Sequence, residues 1–168
     1  MSNNDPVGYA AELGQRLHDK GWMFACAESC TGGLLAAAMT DIPGSSQWFD
    51  RGFVTYSNAA KVEQLLVNED TLERFGAVSE ETAMEMAAGV LTAARPAHLA
   101  ISTTGVAGPD GGTPGKPVGM VCFGFAQRAS QGIVTRAMTK IFEGNRQQIR
   151  NAAVAFALTT AAGFIERR

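Results

Sequence analysis

The segment Ala27-Glu28-Ser29-Cys30-Thr31-Gly32-Gly33 puts a carboxylate, hydroxyls, a thiol and a glycine pair between two apolar runs. The preceding run, Trp22–Cys26, reads as a short buried strand, and the following one, Leu34–Met39, as a helix. A helix start exposes unpaired N–H groups and the positive end of the macrodipole. Glycine there lets a ligand approach the backbone, so the turn offers a seat for an anion or a developing oxyanion. Ser29 and Cys30 are both candidate nucleophiles, the thiol because a helix N-terminus lowers its pKa; a buried, inert cysteine is the alternative for Cys30. A helix start merely capped by Ser, Thr or Gly is the competing reading.

Lys61 follows the turn Tyr56-Ser57-Asn58 and falls in the first turn of an expected helix. A lysine there opposes the dipole, and that field, with burial, lowers an amine's pKa from about 10.4 toward neutrality. A neutral lysine can take a proton from serine, the Ser-Lys form of nucleophilic catalysis; a solvated surface lysine is the alternative. A third glycine-containing turn, Thr103-Thr104-Gly105-Val106-Ala107-Gly108-Pro109-Asp110-Gly111-Gly112, has the length of a binding loop or lid; a loose surface loop is the alternative. It has neither the G-x-x-x-x-G-K-S/T order of a P-loop nor G-x-G-x-x-G, which disfavours a nucleotide triphosphatase or a Rossmann dehydrogenase. Arg146, in Gly144-Asn145-Arg146, opens the last expected helix with a fork suited to phosphate or carboxylate; a solvated first-turn arginine is the alternative. His18 and His98 lie in no metal-ligand motif, and Cys26, Cys30 and Cys122 lack C-x-x-C spacing, so no metal site is expected.

These groups need a scaffold. Val7, Ala10, Leu13 and Leu17 predict a helix over 7–20, followed by a strand over 22–27 and a helix over 32–40. Phe49–Ser57 reads as a strand bulged at Gly52, and Asn58–Leu66 as a helix. After a short turn, Ser79 caps a helix that runs to Ala94, with Thr82 at N3 and Glu80 and Glu81 in the first turn. Pro96 stops it. His98–Thr103, Val118–Ala126 and Ile133–Phe142 are expected strands, the last pair antiparallel across a short turn, and Asn145–Ile165 is the final helix. This order predicts an α/β fold: a single-domain three-layer α/β/α sandwich over 1–168, with a mixed, mostly parallel sheet. If the first strands are parallel, the three glycine-containing turns share one edge of the sheet.

A chain that is 46% hydrophobic and 18% charged, with formal net charge -2, belongs with folded globular proteins and offers no broad basic surface for nucleic acid. No window approaches the roughly 20 apolar residues that cross a bilayer. Met1-Ser2-Asn3-Asn4-Asp5-Pro6 is polar and lacks the order of a signal peptide, so a cytoplasmic location is expected. The alanine-rich stretch Ala152–Ala162 can pack on the sheet or on another subunit, which leaves a homo-oligomer open.

The ordered motifs Ala27–Gly33, Gly52–Asn58 with Lys61, Gly76-Ala77-Val78-Ser79, Thr104–Pro109, Lys116-Pro117-Val118-Gly119 and Arg146 span nearly the whole chain. In that order they resemble the CinA C-terminal domain family, whose characterised activity is a nicotinamide-nucleotide amidase. The resemblance implies the stand-alone amidase form, without the molybdopterin-binding-like domain of larger members. It implies hydrolysis of the carboxamide of nicotinamide mononucleotide to nicotinate mononucleotide and ammonia, in pyridine nucleotide salvage, with no cofactor. Carried over by motif position, Ser29 is the nucleophile and Lys61 its base, with Tyr56 beside them. Glu28, Cys30, Thr31, Gly32, Gly33, Thr103, Thr104, Gly105, Gly108 and Arg146 are the expected substrate-binding residues. A non-catalytic nucleotide- or partner-binding module would keep the glycine turns without needing Ser-Lys geometry, and an amidase of another small amide is a further alternative.

Overall fold

The computed structural model describes residues 6–165; the polar residues 1–5, read above for a targeting signal, lie outside them. Six helices, α1 (Pro6–Lys20), α2 (Leu34–Thr40), α3 (Asn58–Leu65), α4 (Glu69–Phe75), α5 (Glu80–Ala93) and α6 (Arg146–Gly163), pack with five strands. The strands are β1 (Phe24–Glu28), β2 (Phe49–Val54), β3 (Leu99–Gly105), β4 (Met120–Ala129) and β5 (Gly132–Ile141), in the spatial order β2-β1-β3-β4-β5. β2, β1 and β3 pair in parallel, whereas β4 is antiparallel to both neighbours, so β4 alone runs against the rest. The expected mixed sheet in three layers is the observed one. Among the described residues no helix is long and apolar enough to cross a membrane.

Strand alternation divides the core in two. Phe24 and Cys26 of β1, Ile101 of β3 and Phe123 of β4 face a cluster built with α1, α2 and α6. Ala25, Ala27, Ala100 and Ala126 face the other way, toward Leu65 of α3 and Met86, Ala87, Val90 and Leu91 of α5. The small side chains make a low floor, and α5 settles onto it closely. A Cβ on Gly124 would lie 2.1 Å from the Ala83 carbonyl oxygen, the same oxygen that accepts the buried Ser102 hydroxyl. α3 approaches α5 as closely, since a Cβ on Gly89 would lie 2.0 Å from the Leu65 carbonyl oxygen.

Three local expectations are corrected. α4 sits where a turn was expected: Asn68 caps it by accepting from the Asp70 N–H, and Glu69 and Asp70 occupy its first turn. It buries no residue, so no apolar stripe announced it. The irregularity in β2 falls at Asp50, between the pairs Phe24–Phe49 and Ala25–Arg51, and Gly52 pairs regularly with Cys26. Gly52 is small for another reason: its Cβ would stand 3.2 Å from Ala36 of α2 and 3.3 Å from the Cys26 sulfur. α2 begins at Leu34 because Gly32 and Gly33 take positive φ values of 57° and 108°.

Helix propensity alone favours Gly89→Ala by about 1 kcal/mol. The Leu65 backbone in its way opposes this, and overpacking costs about 1–3 kcal/mol, more where backbone must move. Gly89→Ala is therefore expected to lower Tm by several degrees in a thermal melt; an increase would contradict the close α3–α5 approach.

Candidate active site

After β1 the chain crosses through α2 on one face of the sheet, and after β2 it returns through α3, α4 and α5 on the other. Connections that leave neighbouring parallel strands toward opposite faces open a crevice at the carboxyl ends of those strands. The Ser29 turn follows β1, the Tyr56–Asn58 turn follows β2, and the glycine-rich loop follows β3. A cavity of about 290 Å³ lies there, lined by Ser29, Cys30, Tyr56, Lys61, Ala77, Val78, Thr104, Gly105, Val106, Ala107, Gly108, Asp110, Gly111 and Arg146.

Lys61 enters this cavity from beneath. Ser57 caps α3 by accepting from the Ala60 N–H, which sets the helix so that Lys61 and Leu65, one turn apart, both face inward. Lys61 is 1% exposed, and its Nζ donates to Ser29 Oγ (3.1 Å), the Thr55 carbonyl (2.9 Å) and the Tyr56 carbonyl (3.2 Å). Among the described residues it is in no ion pair. Burial pushes its pKa below the usual 10.5, opposed only in part by the nearby Cys30 thiol. An ammonium has three N–H groups for these three acceptors. A neutral amine keeps both carbonyls with its two N–H groups and turns its lone pair to the Ser29 hydroxyl. In the charged state the Ser29 hydroxyl donates instead to the Tyr56 carbonyl, 3.3 Å away. The cluster thus accommodates either protonation state and can pass one proton between Oγ and Nζ.

Cys30 is chemically different. Its thiol is 6% exposed, and burial pushes it up to about 12, which its own backbone N–H and the Arg150 guanidinium offset only in part. Lys61 reaches Ser29 Oγ with a hydrogen bond and does not make one to the thiol.

The start of α2 is not an open anion seat. The Glu28 carboxylate, 1% exposed, accepts from the Leu35 N–H at 2.7 Å through Oε1 and the Ala36 N–H at 3.1 Å through Oε2. Oε1 also accepts from the Thr31 hydroxyl at 2.7 Å, and Thr31 Oγ1 lies 2.7 Å from Thr103 Oγ1. Because the one Thr31 proton goes to the carboxylate, Thr103 is the donor in the second bond. The protein's own carboxylate thus occupies the positive end of the helix dipole. Glu28, Thr31, Gly32, Gly33 and Thr103, expected to bind substrate, are not part of the cavity lining; Glu28, Thr31 and Thr103 are buried. Ser29, Cys30, Tyr56, Lys61, Thr104, Gly105, Gly108 and Arg146 are brought together on it.

Arg146 begins α6 behind an Asn145–Gln148 capping box and reaches across the mouth of the cavity. Its guanidinium donates to the Gly108 carbonyl (2.8 Å) and to the Tyr56 hydroxyl (3.2 Å), bridging the glycine-rich loop to the β2–α3 turn. One turn further on, Arg150 donates to the carbonyls of Cys30 (3.0 Å) and Thr31 (3.2 Å). Arg150 has no place in the sequence motifs, where its i, i+4 spacing from Arg146 was the signal available, and Asp110 and Ala77-Val78 stand in those motifs without a site role. His98, given no chemical role above, accepts from the Met23 N–H at 3.0 Å and stacks on Trp22 at the opposite end of β3. No group of three or more His, Cys, Asp or Glu side chains among the described residues is placed to hold a metal.

A family model described as the CinA C-terminal domain matches residues 7–165. The chain belongs to this family. Among CinA-domain relatives, nicotinamide-nucleotide amidohydrolase PncC of Enterobacter agglomerans is 56% identical over 152 residues, covering 90% of each chain. The protein of that name from Escherichia coli K12 is 49% identical over 160 residues, covering 95% of this chain and 94% of the relative. A CinA-like protein of Chloroherpeton thalassium is 57% identical over 134 residues, which make up 80% of this chain but only 32% of that longer one. The CinA-domain fold is shared with solved structures. A competence or damage-inducible protein from Enterobacter asburiae superposes with a TM-score of 0.90 at 37% identity, covering 98% of this chain and 100% of that one. The competence/damage inducible protein CihA from Agrobacterium tumefaciens gives 0.85 at 42% identity, covering 94% of each.

The Glu28 cap carries a measurable consequence. Glu28→Ala strands two amides, each costing about 1–3 kcal/mol when buried without a partner, and leaves the Thr31 hydroxyl with Thr103 alone. The variant is expected to lose about 3 kcal/mol or more in urea denaturation, with Glu28→Gln losing less. A loss under about 1 kcal/mol for Glu28→Ala would show that the carboxylate does not hold the turn.

Proposed function

We propose that the chain hydrolyses the carboxamide of nicotinamide mononucleotide, giving nicotinate mononucleotide and ammonia. The observation that carries this reading is Lys61 Nζ at 3.1 Å from Ser29 Oγ on a cavity wall. It stands in a chain 49–56% identical, over most of its length, to proteins named nicotinamide-nucleotide amidohydrolase. Neutral Lys61 takes the Ser29 hydroxyl proton as Oγ attacks the carboxamide carbon. The Cys30 N–H, which among the described residues donates to no backbone carbonyl and meets only its own thiol, turns to the resulting oxyanion and stabilises it together with amides of the Ala107–Gly108 segment. The Lys61 ammonium then returns its proton to the leaving nitrogen, the C–N bond breaks, and ammonia departs to leave an ester on Ser29. Water attacks that ester, Lys61 accepts the water proton and passes it to Ser29 Oγ, and the carboxylate product is released.

Tyr56, Arg146 and Thr104 on the wall have parts in this reading. The Tyr56 carbonyl holds the Lys61 amine, and its hydroxyl holds Arg146. Arg146 presents guanidinium N–H groups at the mouth, suited to the mononucleotide phosphate. Thr104, whose hydroxyl donates to the Ala77 carbonyl at 2.8 Å, joins β3 to the far wall. The reaction consumes only water and belongs to pyridine nucleotide salvage. The proposal places it in the cytoplasm, with no cofactor, metal or nucleic-acid partner.

Ammonia release from nicotinamide mononucleotide by the purified protein tests the reading. Ser29→Ala and Lys61→Ala are each expected to lower kcat by at least about 10³-fold in folded protein, while Cys30→Ala keeps turnover. kcat/KM should rise with pH through a pKa below that of a free lysine, because the neutral amine is the base and burial lowers its pKa. A limb near the free-lysine value of about 10.4 would contradict Lys61 as the base. Binding without turnover would instead identify a non-catalytic module.

A further inference from the structure

Arg150 projects from the second turn of α6 onto the back of the nucleophile turn, with Nε on the Cys30 carbonyl at 3.0 Å and Nη2 on the Thr31 carbonyl at 3.2 Å. These two carbonyls belong to successive peptide planes. Each plane is rigid and trans, so a carbonyl held in one direction aims the N–H of the same plane the opposite way. Holding the Thr31 carbonyl toward α6 turns the Gly32 N–H back into the turn, where it donates to the Ser29 carbonyl at 3.1 Å. That bond fixes the Ser29–Cys30 plane, and hence the direction of the Cys30 N–H. The Cys30–Thr31 plane is the central peptide of this four-residue turn, the one that flips between turn types I and II. A flip would carry the Cys30 carbonyl off Arg150 Nε and require a positive φ at Thr31. Among the described non-glycine residues only Leu66 has a positive φ.

Gly32 gives a second, independent indication. A Cβ there would lie 3.2 Å from Arg150 Nη2, so the guanidinium rests against a bare Cα. The absence of a side chain at Gly32 serves the positive φ of the turn and the seating of Arg150 alike.

We propose that Arg150 is a positioning residue: by gripping the Cys30 and Thr31 carbonyls it holds the nucleophile turn so that the Cys30 N–H meets the oxyanion. This rests on the amidase reading above, and it gives α6 two separate tasks. Arg146 faces the mouth of the cavity, and Arg150 faces the back of the turn that carries Ser29.

The test compares Arg150→Met, Arg150→Lys and the unaltered protein in steady-state kinetics and in amide hydrogen exchange at Gly32. Misaiming an oxyanion donor costs about 10²–10³-fold when the donor is lost outright. Arg150→Met is therefore expected to lower kcat at least tenfold while KM changes less than threefold. Arg150→Lys should recover part of the loss by holding one carbonyl, and in a third variant, Arg150→Ala, millimolar guanidinium should partly restore turnover. Gly32 exchange should quicken in Arg150→Met. Unchanged kcat, or a raised KM with kcat kept, would overturn the proposal, as would Gly32 protection equal to that of the unaltered protein. If Arg150→Met fails to fold, the kcat loss and Gly32 exchange of Arg150→Lys decide. Absence of ammonia release by the unaltered protein would sink the amidase reading instead, and Gly32 exchange would still report whether Arg150 sets the turn.

Discussion

A lysine amine buried among backbone carbonyls and one serine hydroxyl is the interaction around which this molecule is arranged. Removing an ammonium from water is costly unless a counter-charge is supplied, and a buried amine without one moves its pKa toward the neutral form. Lys61 has hydrogen-bond acceptors but, among the described residues, no paired carboxylate. A carboxylate in contact would have held it charged and useless as a base. Carbonyl oxygens satisfy its N–H groups in either protonation state, which leaves the lone pair available to Ser29.

The nearest buried carboxylate is used elsewhere. Glu28 immediately precedes Ser29, yet its oxygens point away to the Leu35 and Ala36 N–H groups and the Thr31 hydroxyl. The positive end of α2 thus keeps Glu28 occupied, and Glu28 locks the turn that carries Ser29. The other half of the arrangement comes from the sheet. Ala25, Ala27, Ala100 and Ala126 let α5 lie low, and α3 rests on α5 at Gly89, which brings Lys61 down to the level of the strand ends.

Much of this was legible from residue order. The apolar spacing of Val7, Ala10, Leu13 and Leu17, the Ser79 cap and the short polar turn between β4 and β5 each announced their elements, because each depends on local chemistry. The meeting of the turns that hold Ser29, Tyr56 and Thr104 followed from parallel strands ending at one edge, whereas Arg146 was placed with them by motif resemblance. What escaped was non-local or lacked a pattern. α4 has a cap but no buried stripe; the irregularity at Asp50 follows from pairing across strands. Glu28 was read as facing a ligand because its partners, seven and eight residues on, become visible only once Gly32 and Gly33 bend the chain. Arg150 contacts Cys30 across 120 positions, a separation that no sequence window spans.

The central claim is that Ser29, activated by Lys61, forms the covalent bond. Rapid acid quench during turnover of nicotinamide mononucleotide, followed by mass spectrometry of the peptide spanning residues 27–33, tests it most directly. The account predicts a transient nicotinate-mononucleotide ester on Ser29, formed before free acid accumulates and absent when Lys61 is replaced by alanine. An adduct on Cys30, or turnover with no adduct under conditions where ester hydrolysis is slow, would contradict it.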